Sequence, residues 1–276
     1  MSVFEPGVRY RRVFDRLRQR GDGAFMPFLM IGDPDLETSG RLLQAAVDGG
    51  ADLLEVGLPF SDPLADGPVL QAAAERALEG GTTTAGCLEV LKAFRAKNPD
   101  VAVGVLTYAN IALAKGRRAF YAACADAGVD SVLIADAPSV EATPWSQDAK
   151  AAGVAPVMIA AQNTPEPTLE RIAELGAGYT YCLARAGVTG VGEAMTLDHA
   201  YLIETLRRLG APPAIIGFGV SRPEHVRAAL DAGAAGAVSG SAVVARIAVA
   251  GSADAAVEAV RDFTAEMKAA TVGALK

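Results

Sequence analysis

The sequence predicts an α/β fold, a single (β/α)8 TIM barrel over residues 1–276 with extra helices at the N-terminus and after strands two and eight. Three observations carry that expectation. Short apolar runs without strict alternation recur along the chain, as in parallel strands buried on both faces. A glycine and a small residue precede most of these runs, the signal of a helix ending in a left-handed turn. Helical stretches separate the runs, and no Pro- or Ser-rich linker divides them.

Taken in order, a helical pattern at 10–20 leads into a first strand at 25–31 and a helix at 41–47. Gly50-Ala51-Asp52 announces the strand at 53–57, after which 68–78 reads as an extra helix and 85–96 as the regular one. Asn98-Pro99 precedes a strand at 101–106, and helix 119–127 ends in Gly128-Val129-Asp130 before the strand at 131–135. Gly153-Val154 introduces 156–160, and Gly176-Ala177-Gly178 follows helix 169–175 and introduces 179–183. Helix 200–209 and Gly210-Ala211 precede the strand at 214–217; helix 223–232 and Gly233-Ala234-Ala235 precede the last, at 236–239. An open doubly wound sheet would need fewer strands.

Hydrophobic residues make up 51% of the 276 and charged residues 21%, which excludes a mainly disordered chain. A net charge of −7 with no dense Lys/Arg stripe argues against a nucleic-acid partner, while backbone dipoles still allow a small anionic substrate. Cys87, Cys124 and Cys182 are widely spaced, with no ligand-spaced His, and read as core residues in a reducing compartment. Residues 1–6 lack a signal-peptide core, and 232–250 is broken by Gly and Ser and carries Arg246, so the expectation is a cytoplasmic chain without a membrane span. His199 and His225 read as solvated helix residues, and Trp145 as a packing residue.

Glu55 is the residue that needs a reason. It stands among Leu53, Leu54, Val56 and Leu58, where an unpaired carboxylate costs several kcal/mol to ionise, and Asp62 and Asp66 follow on the adjoining loop. Carboxylates at a strand end and on the next loop are a layout for acid/base chemistry. The late strands then run into Gly187-Val188-Thr189-Gly190, Gly217-Phe218-Gly219-Val220-Ser221 and Ser239-Gly240-Ser241. Such turns let backbone amides approach an anion, and a helix beginning at Ser241 would point its positive end there.

With Pro27-Phe28, Gly32-Asp33-Pro34, the run from Glu55 through Phe60-Ser61-Asp62-Pro63-Leu64-Ala65-Asp66-Gly67-Pro68, Tyr108-Ala109-Asn110, Tyr179-Thr180-Tyr181 and the late glycine turns in view, the chain resembles the α subunit of tryptophan synthase over nearly its whole length. The resemblance implies retro-aldol cleavage of indole-3-glycerol phosphate to indole and glyceraldehyde 3-phosphate. It implies no metal and no organic cofactor, and a pyridoxal-phosphate β subunit as partner in an α2β2 complex. Glu55 and Asp66 take the two catalytic positions. Phe28, Leu106, Leu133, Ile159, Tyr181 and Phe218 match positions around the indole. Gly190, Gly219, Gly240 and Ser241 carry the phosphate, Thr189 matches a residue that meets Asp66, and 185–190 is a lid. Ala137 and Ala160-Ala161 depart from the family pattern away from the chemistry. Three alternatives remain at this point: another phosphate-binding barrel, either an indole-glycerol-phosphate synthase, which the lack of a strand lysine disfavours, or a phosphoribosyl isomerase; a non-catalytic regulatory barrel, which Glu55 and Asp66 disfavour; and a lyase working without a partner.

Overall fold

The computed structural model describes residues 5–183 and 199–275. Nine parallel stretches form the sheet: β1 (Ala24–Met30), β2 (Leu53–Gly57), β3 (Ala102–Thr107), β4 (Ser131–Ile134), β5 (Ala155–Pro156), β6 (Met158–Ala160), β7 (Thr180–Leu183), β8 (Ala214–Gly217) and β9 (Gly236–Ser239). They pair in the order β5-β4-β3-β2-β1-β9-β8-β7-β6. The expected fifth strand, 156–160, is therefore two stretches, one paired to β4 and the other to β7. Val157 lies between them and its amide reaches Val132 O at 3.0 Å, while Pro156 O accepts from Ala177 at 2.9 Å. Hydrogen bonds run to both neighbours through the break, so the ring closes and the open-sheet alternative is excluded.

Around the strands lie α1 (Val8–Arg20), α2 (Leu36–Asp48), α3 (Pro68–Glu79), α4 (Thr84–Lys97), α5 (Ala109–Leu113), α6 (Arg117–Asp126), α7 (Ala142–Ala151), α8 (Glu166–Leu175), α9 (Ala200–Arg208), α10 (Pro223–Asp231), α11 (Ser241–Val249) and α12 (Ala253–Ala269). The extra helices are α1, α3 and α11, where they were expected; the short α5 adds a further one after β3. No helix among the described residues is long and apolar enough to cross a membrane.

Strand alternation divides the core into two shells. Leu54 and Val56 face the helices, while Leu53, with Met26, Phe28, Leu133, Tyr181 and Ile215, belongs to the barrel interior. Each such fully buried side chain contributes on the order of 2 kcal/mol. Helix α1 buries Tyr10, Val13, Phe14 and Leu17, spaced for one helical face, beneath the strands' N-terminal ends. Its Tyr10 hydroxyl meets Ser131 Oγ at 2.8 Å, and Arg9 and Arg95 hold the two oxygens of buried Asp130 at 2.7 Å each. The glycine signal holds at Gly50 and Gly233, both at φ 95°; after α8 it passes from Gly176 to Gly178, which takes φ 80°.

Candidate active site

Every residue of β2 is buried, and its pleat turns Glu55 inward, level with Phe28 of β1 and Gly104 of β3. Glu55 is 1% exposed. The Tyr179 hydroxyl donates to its Oε1 at 2.7 Å. Burial pushes the Glu55 carboxyl up to about 7; the nearby Asp66 charge adds to that rise and the Tyr179 hydrogen bond opposes it.

Asp66 enters the same space from the loop after β2. A tight turn from its amide to Pro63 O, at 3.1 Å, shapes that loop, and Gln71 Nε2 of α3 donates to the Asp66 carbonyl at 2.7 Å. Burial raises its carboxyl to about 6, against a hydrogen bond donated by the Tyr108 hydroxyl. Tyr108 is held by stacking on Phe60, ring centroids 5.3 Å apart, and its oxygen accepts from Ala65 N at 3.2 Å. Asp62, in contrast, is exposed and pairs with Ser61.

Glu55 and Asp66 line one cavity, open at its mouth, at the C-terminal end of the barrel. Phe28, Leu106, Leu133, Ile159, Tyr181 and Phe218 all line it, each from a different strand or strand end. Two glycines make the room. A Cβ on Gly57 would lie 2.6 Å from the Phe28 ring, and one on Gly217 would lie 2.1 Å from the Tyr181 hydroxyl. Phe218 adopts φ 73°, a left-handed conformation costly for a bulky side chain, between Gly217 and Gly219; there its ring meets Tyr181 edge-on, centroids 6.0 Å apart.

At the other end of the cavity are Gly219, Gly240 and Ser241. Helix α11 begins at Ser241 with Gly240 as its N-cap and no side-chain cap, so its first amides keep their hydrogen-bonding capacity for an anion. Val220 and Ser221, from the same glycine turn as Gly219, join them. Missed by the sequence reading were Ala65, Leu70, Ala135, Val238 and Ala242 in the lining, and the roles of Tyr108 and Tyr179 as hydrogen-bond donors. The two tyrosines stood in quoted motifs, but nothing local in the sequence pairs either with a carboxylate. Thr189, Gly190 and the whole 185–190 segment lie outside the described residues.

The histidine expectation is corrected. His199 is fully buried, with Nε2 2.9 Å from Leu183 O, because it packs against the end of β7 instead of facing water. His225 is half-buried and accepts from Ser221 N at 3.3 Å, so it braces the turn that bears Ser221.

A family model described as tryptophan synthase alpha chain matches residues 14–272. The chain belongs to the tryptophan synthase alpha chain family. The relative from Photobacterium profundum is 52% identical over 236 residues, 86% of this chain and 88% of that one. The one from Shewanella oneidensis is 49% identical over 264 residues, 95% of each. Among solved structures, Mycobacterium tuberculosis tryptophan synthase superposes with TM-score 0.85 at 27% identity, covering 96% of this chain and 98% of that chain. A chain from the Pyrococcus furiosus tryptophan synthase a2b2 complex gives TM-score 0.79 at 32% identity, covering 89% and 98%. Family membership removes the other phosphate-binding barrels as alternatives.

Proposed function

We propose that this chain cleaves indole-3-glycerol phosphate to indole and glyceraldehyde 3-phosphate, with Glu55 and Asp66 as its catalytic pair. The observation that carries the reading is the placement of two buried carboxyls, raised to about 7 and about 6, in one apolar cavity whose far end is built from Gly219, Gly240 and Ser241. Near neutral pH much of Glu55 is protonated and about nine-tenths of Asp66 is ionised. The Glu55 acid protonates indole C3, which leaves the ring as an indoleninium with its positive charge shared by the N–H. Ionised Asp66 stabilises that charge. The Glu55 carboxylate then takes the proton of the side-chain hydroxyl; the C–C bond breaks, its electrons restore the indole, and the aldehyde forms. Glu55 ends protonated, as it began.

The phosphate lies at the α11 end and the indole among Phe28, Leu106, Leu133, Ile159, Tyr181 and Phe218. The partner is a pyridoxal-phosphate β subunit, in an assembly like that of the Pyrococcus furiosus complex. The segments that follow three consecutive strands expose large apolar side chains on the barrel mouth: Leu64 (79%), Leu113 (50%) and Val140 (73%). A patch of that kind is what a docking subunit covers. Indole, small and apolar, passes from the cavity to the partner without entering solvent. The chain works as one domain over residues 1–276, in the cytoplasm. The deciding experiment is Glu55→Gln, which keeps size and hydrogen bonding: turnover should fall by several orders of magnitude while substrate still binds. Near-normal turnover would overturn the assignment.

A further inference from the structure

A second cavity lies on the other side of the barrel wall, between β4 to β6 and helices α6 to α8. Its enclosed space, about 70 Å³, is of the same order as the roughly 60 Å³ of the substrate cavity. Ala137 and Ala142, whose side chains stop at Cβ, line it together with the rings of Tyr121 and Trp145. Trp145 is held as a wall: the Arg117 guanidinium sits 5.3 Å from its ring centroid, and Arg117 is anchored on Asp148 at 2.8 Å.

The chemistry of the lining selects the ligand. No charged side chain among the described residues lines the cavity, so an ionic ligand would enter without compensation. Tyr121 is 1% exposed and lines the cavity. A tyrosine hydroxyl in such a wall can donate to, or accept from, one polar atom of a ligand. Two aromatic walls favour a flat ring. Ile159 lines this cavity and the substrate cavity alike.

We infer that this cavity is a second binding site, for a neutral, flat heteroaromatic molecule of about the size of indole that offers one polar atom to Tyr121. The site stands apart from the roles given to Glu55 and Asp66 and is tested by binding alone. The full chain is labelled at isoleucine methyls, the substrate cavity is saturated with indole-3-propanol phosphate, and indole is titrated as the probe. Ile134 and Ile172 line only the second cavity and report on it. Their methyl resonances should shift saturably with the blocker present. Ala142→Leu should abolish the shifts by filling the space, with Ala137→Leu serving at the mouth if the first variant does not fold cooperatively. Tyr121→Phe should weaken the affinity three- to tenfold, the worth of one hydrogen bond. Shifts that are absent up to the solubility limit of indole, or that survive unchanged in the filling variant and in Tyr121→Phe, overturn the proposal.

Discussion

Replacing Tyr179 with Phe removes one hydrogen bond and leaves the ring, and its effect on the pH profile follows from the geometry. The Tyr179 hydroxyl donates to Glu55 at 2.7 Å and lowers its pKa against the rise from burial. A hydrogen bond to a charged group is worth about 1.5–3 kcal/mol, which corresponds to roughly one to two pKa units. Without it, Glu55 should rise from about 7 to between roughly 8 and 9. Cleavage needs Glu55 protonated and Asp66 ionised, so kcat/KM of the free enzyme should climb through about 6 and fall through about 7. In Tyr179→Phe the alkaline limb should move up by one to two units while the acid limb, set by Asp66, stays in place. At pH 9 the variant should retain about tenfold or more of its own maximum relative to wild type. The assay is kcat/KM for indole release from pH 5 to 10. An alkaline limb that stays where it is, or moves down, would refute Glu55 as the group that must begin protonated.

Glu55→Gln should also change stability, with a defined sign. The protonated carboxyl costs the fold nothing below its unfolded value of 4.5, and the penalty grows as pH rises through the folded value of about 7. The variant should therefore be more stable than wild type by about 3 kcal/mol above pH 7.5 and equal to it below pH 4.5, by urea unfolding; equal stability at pH 8 would show that Glu55 is solvated. Gly219→Asp or Gly240→Asp should weaken binding of the phosphate-bearing substrate by at least a hundredfold while indole binds as before, measured by calorimetry; matched losses for both ligands would mark a misfolded cavity instead. Val140→Asp and Leu64→Asp place charge on the exposed patch and should weaken β-subunit binding at least tenfold without altering indole-3-propanol phosphate affinity. Indole-3-propanol phosphate should in turn tighten the partner complex, because coupling between two binding events is reciprocal; an unchanged affinity in that titration argues against it.

The barrel was legible because its signals are short-ranged. Helix ends at Gly50 and Gly233, apolar strands at 53–57 and 214–217 and the open helix start at Ser241 each depend on a few consecutive residues, and each stands where it was expected. Glu55 declared itself for the same reason, as a carboxylate inside a run of apolar neighbours. Its chemistry did not. The Tyr179 hydroxyl that tunes it is 124 residues away in sequence and is brought within 2.7 Å only by closure of the ring. Gly57 and Gly217 looked like ordinary strand ends until the rings of Phe28 and Tyr181, from neighbouring strands, occupied the space their missing side chains leave. His199 was misread because its helical context says nothing of the β7 carbonyl it meets. Local pattern determined which elements form and which residues are out of place. Desolvation, and contacts across the barrel, depend on where every strand finally lies; the tertiary structure alone decided which carboxyl holds a proton at neutral pH and what shape of molecule it faces.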